Sequence, residues 1–186
     1  MQALNIELFQ ALAAGYAPHP LLLWLASGLA ENASWLCVAL MGCAAWRRPS
    51  QRACIFGALI AAALASVLAH ALAEAIAMPR PFAIGLSPSY IPHGARGALP
   101  SAHASVMFTI GLVFCLRTAL RDVGIGIIAI GVVTGWARIY IGVHFPLDIA
   151  AGLLLAIGVA AAYGLLQQWA IGWMRRSAES RLRVSA

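Results

Sequence analysis

The chain has 186 residues, of which 62% are hydrophobic and 10% charged, against roughly 25% charged in an average soluble domain. That balance excludes a soluble globular fold. Twelve basic residues, all arginine, stand against six acidic ones for a net charge of +6; arginines that flank apolar segments are explained by membrane orientation, so the surplus gives no nucleic-acid signature.

Uncharged apolar blocks cover 8–30, 53–73, 97–116 and 149–174, with shorter ones at 32–46 and 123–137. About 20 such residues cross a bilayer, and a spanning backbone must satisfy its own hydrogen bonds. The expected fold class is therefore all-α: a single polytopic membrane helical bundle over residues 1–186, with about five transmembrane spans and a short interfacial helix within 1–17. Cys37, Cys43, Cys54 and Cys115 fall in or beside apolar segments and read as small hydrophobes, with no disulfide or metal spacing. The first 46 residues carry no basic residue, so the charged start of a secretory signal is missing and the amino terminus is expected to be retained.

In chain order, Leu4, Leu8 and Leu12, with neighbouring Phe9 and Ala11, form one helical stripe that ends near Gly15, before Pro18 and Pro20. Leu21 to Trp46 predicts a tilted span with a polar interruption at Glu31 and Asn32, ending at Arg47, Arg48, Pro49 and Arg52. A second span, Ala53 to Ala77, stops at Pro79. Residues 78–100 hold five prolines and three glycines and read as a loop. Span three starts at Pro100 or Ser101 and ends by Arg117 and Arg121; span four covers Gly124 to Tyr140; Ile141 to Phe145 is a short loop; span five runs from Pro146 to about Trp169. The arginine-rich segment 170–186 reads as an interfacial, then disordered, cytoplasmic tail. Trp35, Trp46, Trp136, Trp169 and Trp173 read as interfacial anchors. Nine arginines fall on one side of this layout and three, Arg80, Arg96 and Arg138, on the other. The positive-inside rule then places 78–100 and 138–146 outside the cell.

Three polar stretches meet on that outer side: Met78 to Phe82, Pro100 to His103, and Arg138 through His144 to Asp148. Helices beginning near Ser101 and near His144 or Phe145 would point unsatisfied N–H groups and positive dipole ends at one region, a natural phosphate site. Arg80 and Arg138 add planar forks suited to phosphate oxygens. Asp148, one helical turn after His144, could hold the imidazole in one tautomer and leave its other nitrogen free to attack.

These stretches resemble the type 2 phosphatidic acid phosphatase superfamily, which also includes glucose-6-phosphatase and the vanadium haloperoxidases. Its pattern is K-x6-R-P, then P-S-G-H, then S-R-x5-H-x3-D; here it is met by Arg80-Pro81, by Pro100-Ser101-Ala102-His103, and by Arg138-x5-His144-x3-Asp148. The resemblance covers roughly residues 70–150. It implies that His144 is a nucleophile forming a phosphohistidine, oriented by Asp148, and that His103 protonates the leaving group. It further implies that Arg80, Ser101, the Ala102 amide and Arg138 bind the phosphoryl oxygens, with no cofactor and no metal. The chain departs from the pattern at Ala73 for lysine, Ala102 for glycine and Ala137 for serine. The short five-span layout and the P-R-P-F sequence look most like the bacterial undecaprenyl diphosphate phosphatase branch.

The resemblance thus implies a multi-pass enzyme of a bacterial inner membrane, its site facing the periplasm or exterior, acting on a lipid phosphate or diphosphate. Alternatives within the class are phosphatases of phosphatidic acid, phosphatidylglycerol phosphate or lipid A, and a lipid phosphotransferase. Outside it stand a non-catalytic protein whose arginines bind anionic head groups, a plain helix cap at His144 and Asp148, and a metal site of His103, His144 and Asp148. His70 and Glu74, one turn apart before Arg80, are candidate accessory residues, with Glu74 expected to pair with an arginine and position it. Residue types are silent on the lipid tail and the oligomeric state.

Overall fold

The computed structural model describes residues 2–95 and 97–184, with side chains through residue 177. Its helices are α1 (Gln2–Leu12), α2 (Pro20–Arg47), α3 (Arg52–Ile76), α4 (Ala102–Cys115), α5 (Arg121–Tyr140) and α6 (Pro146–Val184), with short 3-10 turns at Pro49–Gln51, Pro81–Ile84 and Thr118–Leu120. No strand occurs among the described residues. The helices that contain α2, α3, α5 and α6 are each long and apolar enough to cross a membrane, and α4 is a shorter apolar helix. The expected bundle of five apolar helices is therefore present.

The centre of the bundle is α4, which packs against α3, α5 and α6. At 1.5 Å per residue its 14 residues extend only about 21 Å. Protein surrounds it: Met107, Phe108, Ile110, Val113 and Phe114 are all buried. Its two buried hydroxyls bond within the helix, Ser105 Oγ to the Ser101 carbonyl at 2.9 Å and Thr109 Oγ1 to the Ser105 carbonyl at 2.7 Å, so neither leaves an orphan donor in the core. Against α5 the fit depends on two glycines. A Cβ on Gly124 would lie 2.7 Å from the Gly111 carbonyl oxygen and 2.8 Å from Cys115 Sγ.

In contrast, α2 packs mainly on α5 and touches α3 little. Around the turn that joins them, Cys37, Met41 and Ala44 share a core with Cys54, Ile55 and Ala58. The Arg48 side chain in that turn donates to both Asp122 carboxylate oxygens, at 2.7 and 2.5 Å, and to the Ala119 carbonyl. This fork ties the α2–α3 turn to the start of α5. Farther from it α2 and α3 separate, and a cleft opens between them over α4.

Three expectations change. The helix α2 runs unbroken through Glu31 and Asn32, because Asn32 Nδ2 donates to the Gly28 carbonyl one turn back at 3.1 Å and needs no break to be satisfied. The segment from 170 onward is not a disordered tail: α6 continues to Val184, its composition from Trp169 to Arg176 offering no proline to stop it. Residues 185 and 186 of that segment, the side chains of Arg181 and Arg183, and Arg96 of the outer loop lie outside the described residues. In α1 the expected stripe divides: Leu4, Leu8 and Leu12 are exposed, while Phe9 turns inward with Asn5 to pack on the start of α6. Phe9 meets Phe145 edge to face at 5.3 Å, and Asn5 Oδ1 accepts from the Leu147 amide at 3.1 Å. The helix thus caps the start of α6 and presents its leucines away from the protein.

The α4–α5 contact generates a stability prediction with an internal control. Gly124→Ala should destabilise by ~1–3 kcal/mol through overpacking and lower the melting temperature in detergent. Gly126→Ala, whose Cβ would meet nothing within 4 Å, should leave it unchanged or slightly raised, because alanine favours the helix.

Candidate active site

One turn of chain sets the geometry. Between α5 and α6, Gly142 adopts φ +81, and a Cβ there would stand 2.4 Å from the Pro88 carbonyl oxygen. Only glycine fits on both counts. The turn folds back on α5, with the amides of Val143 and His144 donating to the Arg138 carbonyl at 3.0 and 3.2 Å. Pro146 then opens α6, where a proline is tolerated because that amide has no helical acceptor. In the first turn of α6, Asp148 Oδ2 accepts from the Phe145 amide at 2.8 Å and from His144 Nδ1 at 3.1 Å. Asp148 and His144 are 0% and 3% exposed.

The opposite face of the imidazole meets Arg80. This residue follows α3 between Pro79 and Pro81, in extended backbone that directs it under the loop. Its Nη1 donates to the Val143 carbonyl at 3.1 Å and lies 3.3 Å from His144 Nε2, while Nη2 donates to the Gly97 carbonyl at 3.4 Å. A guanidinium only donates and a carboxylate only accepts. His144 must therefore carry its proton on Nδ1 and present an unprotonated Nε2. Burial, and then the charges of Arg80 and Arg138, hold the His144 pKa well below the ordinary histidine range. The pair with Asp148 is accordingly a hydrogen bond of a neutral ring, although its distance would also suit an ion pair.

The start of α4 closes a third side. The Ser101 amide donates to the Asp148 carbonyl at 3.0 Å, and Ser101 Oγ lies 3.4 Å from His144 Nε2. α4 and α6 can approach this closely because residue 152 is glycine: a Cβ there would sit 2.9 Å from both the Ser101 carbonyl oxygen and Ala104 Cβ. Ala102 lines the cavity as the first residue of α4, with its amide among those lacking a helical acceptor. Among the described residues, positive φ outside glycine occurs at Ala77 alone, so the turn at Ala102 does not require the glycine of the family pattern. Ala137, the other small replacement, packs in an apolar cluster with Ala26, Ala30 and Ile91.

Arg138, 4% exposed, completes the ring of donors. Its Nη2 donates to the Ala30 carbonyl at 3.2 Å and to His103 Nε2 at 2.9 Å. Its Nε and Nη1 are buried without a partner among the described residues. An unsatisfied buried donor costs about 1–3 kcal/mol, and more when charged, so this guanidinium is built for an anion that the protein itself does not provide.

All of this opens onto one cavity of about 840 Å³, which Arg80, Arg138, His103 and His144 share with the α2–α3 cleft. The sequence-predicted set of His144, His103, Asp148, Arg80, Ser101, Ala102 and Arg138 is thus brought to one place. His70 and Glu74 line the same cavity from the α3 wall of the cleft, where both are exposed. The expected pairing of Glu74 is not found: the described residues hold no ion pair at Glu74, because Arg80 turns away from α3 toward the 143–144 backbone. The alternative metal reading also finds no support in the placement, since no group of three or more His, Cys, Asp or Glu suited to a metal ion occurs among the described residues. Sequence reasoning missed His93, whose ring centroid is 6.3 Å from that of His144 and which lines the same cavity. The signal available was a histidine between Pro92 and Gly94 in the loop that lines the site.

Comparison with known proteins agrees with this geometry. YbjG of Escherichia coli (strain K12) is 29% identical over 185 residues, covering 91% of each chain. The undecaprenyl-diphosphatase BcrC of Bacillus subtilis (strain 168) is 34% identical over 79 residues, 42% of this chain and 40% of that protein. Among solved structures, LpxE of Aquifex aeolicus superposes with a TM-score of 0.70 at 28% identity, over 86% of this chain and 94% of that one. A PAP2-type phosphatidylglycerolphosphate phosphatase of Bacillus subtilis shares the fold, with a TM-score of 0.67 at 20% identity over 90% and 86% of the two chains. The model of the PAP2 superfamily matches residues 52–171, from the start of α3 into α6 and across every site residue described above. Because that match covers most of its length, the chain belongs to the PAP2 superfamily.

Proposed function

We propose that this protein is a membrane lipid-phosphate phosphatase that hydrolyses undecaprenyl diphosphate to undecaprenyl phosphate and inorganic phosphate. The observation that carries the reading is the unprotonated His144 Nε2 inside an arginine-lined pocket that continues into an apolar cleft. Residues of α3 from Leu59 to Glu74 line that cleft, about 22 Å of wall at 1.5 Å per residue. Cys37, Val38, Met41, Val106 and Ile110 face them. The cleft therefore suits a long apolar chain whose phosphate end sits among the arginines. The names of the similar proteins support the diphosphate as substrate.

Chemistry follows from the donor geometry. His144 Nε2 attacks the terminal phosphorus, the P–O bond to the lipid phosphate breaks, and a phosphohistidine forms. Arg80, Arg138, Ser101 Oγ and the Ala102 amide hold the peripheral oxygens as charge shifts onto them. His103 Nε2 now accepts from Arg138; a monoprotonated substrate phosphoryl group entering between the two takes over the arginine hydrogen bonds and passes its P–O–H proton to that nitrogen. His103 then gives its proton to the leaving oxygen and recovers one from the water that cleaves the phosphohistidine.

Purified protein in detergent should release phosphate from undecaprenyl diphosphate faster than from phosphatidic acid, phosphatidylglycerol phosphate or lipid A. Ala63→Trp, which fills the exposed face of the cleft, should slow the lipid reaction at least tenfold and spare a small aryl phosphate. Hydrolysis of the aryl phosphate alone by the wild type would remove the lipid reading.

The arginine distribution supports placing the site outside the cytoplasm of a bacterial inner membrane. In a background lacking the native cysteines, a cysteine at position 95 should react with an impermeant thiol reagent added to intact cells, and one at position 49 should not. Reversed labelling would put the reaction in the cytoplasm.

A further inference from the structure

His93 belongs to none of the motifs, yet the fold holds its ring beside that of His144 in the same cavity. Both flanks of its loop are pinned. On one side the Tyr90 amide donates to the Ile141 carbonyl at 3.2 Å, the Tyr90 hydroxyl donates to the Gly15 carbonyl at 2.7 Å, and Ile91 is buried against Tyr140, Ile141 and Val143. On the other, the Ala98 amide donates to the Met78 carbonyl at 2.9 Å, and Gly97 lies so close to α3 that a Cβ on it would stand 1.9 Å from the Ala73 carbonyl oxygen. Between these anchors His93 and Gly94 line the cavity. There the His93 ring stands nearly perpendicular to the His144 ring, at 78°, with centroids 6.3 Å apart.

Atom assignments leave one nitrogen of His93 uncommitted to the loop. Nδ1 lies 3.1 Å from the Gly94 carbonyl, which can only accept, so Nδ1 is the donor of that bond and Nε2 is the second polar atom of the ring. Arg80, Ser101 and Arg138 already approach the reacting region from other elements. Ala73, which stands where the family pattern carries lysine, lines the same cavity with only a methyl group. Arg80, Arg138, Ser101 Oγ and the Ala102 amide reach a ligand phosphoryl group from other elements, and none of these groups comes from the loop that carries His93.

We propose that His93 Nε2 is a further phosphoryl-binding group of this site, contributed by the loop between these anchors. It rests on the phosphate-site reading above and adds a residue to it. Nε2 accepts from the P–O–H of a phosphate monoanion, or donates to a phosphoryl oxygen after taking that proton. In either form one hydrogen bond to a charged ligand is made, and no bond in the protein is broken to make it.

The test measures binding of inorganic phosphate to the full-length protein in detergent by calorimetry, without turnover. His93→Phe keeps the ring and its edge contact with His144 and removes both nitrogens; it should weaken phosphate binding about 10- to 100-fold at an unchanged melting temperature. His93→Gln, whose side-chain amide can bond to the phosphate, should recover most of the affinity. Phosphate affinity in His93→Phe equal to wild type would overturn the proposal and assign the ring to packing. Equal weakening in His93→Phe and His93→Gln would overturn it as well. Turnover of undecaprenyl diphosphate is assayed in parallel: a wild type that binds phosphate and hydrolyses no lipid phosphate would refute the function proposed above, while the His93 comparison stands on its own.

Discussion

The His144 imidazole lies between a group that can only accept and a group that can only donate. Asp148 accepts a hydrogen bond from Nδ1, and Arg80 points an N–H at Nε2. That arrangement determines the tautomer, the ring plane and the direction of the lone pair together. Much of the fold serves it. Gly142 permits the turn that carries His144, Gly152 lets α4 approach α6 so that Ser101 reaches the ring, and Arg80 is held by the Val143 and Gly97 carbonyls.

The cost of this arrangement is electrostatic. Two guanidiniums and a carboxylate are each less than a tenth exposed, and burying such charges ordinarily costs several kcal/mol per ion before compensation. Backbone carbonyls of residues 30, 97 and 143 compensate part of it. Two Arg138 nitrogens remain without a partner among the described residues. The remaining deficit is a preference for an anion, which is what a phosphoryl-transfer site requires: donors aimed in advance at the place where negative charge collects. Burial first, and then the same positive field, keep His144 neutral, so the charges that attract the substrate also help to preserve the nucleophile.

What was legible in the sequence was whatever rests on spacing. The three-residue gap from His144 to Asp148 places them one helical turn apart, and the arginine-flanked apolar blocks mark the helices. Three things were not legible. The length of α6 past Trp169 was obscured by its arginines, which read as a tail because charge was weighed above helix continuity. The α2–α3 cleft depends on how two helices diverge, and its wall residues, such as Ala62 and Ala63, look like any other span positions. His93 reaches the site through a loop whose path is set by long-range anchors at residues 15, 78 and 141, and no local pattern encodes that path. The α1 stripe was legible in its leucines, but Phe9, grouped with them by spacing, faces inward because it packs on Phe145.

The central claim is that His144 Nε2 forms a covalent bond to phosphorus. Rapid base quench of the enzyme during turnover of phosphorus-labelled lipid diphosphate, followed by peptide mapping under alkaline conditions, tests it directly. The account predicts an acid-labile, base-stable label on the peptide that contains His144, absent in His144→Ala. A label elsewhere in the chain, or steady hydrolysis by His144→Ala, would contradict it.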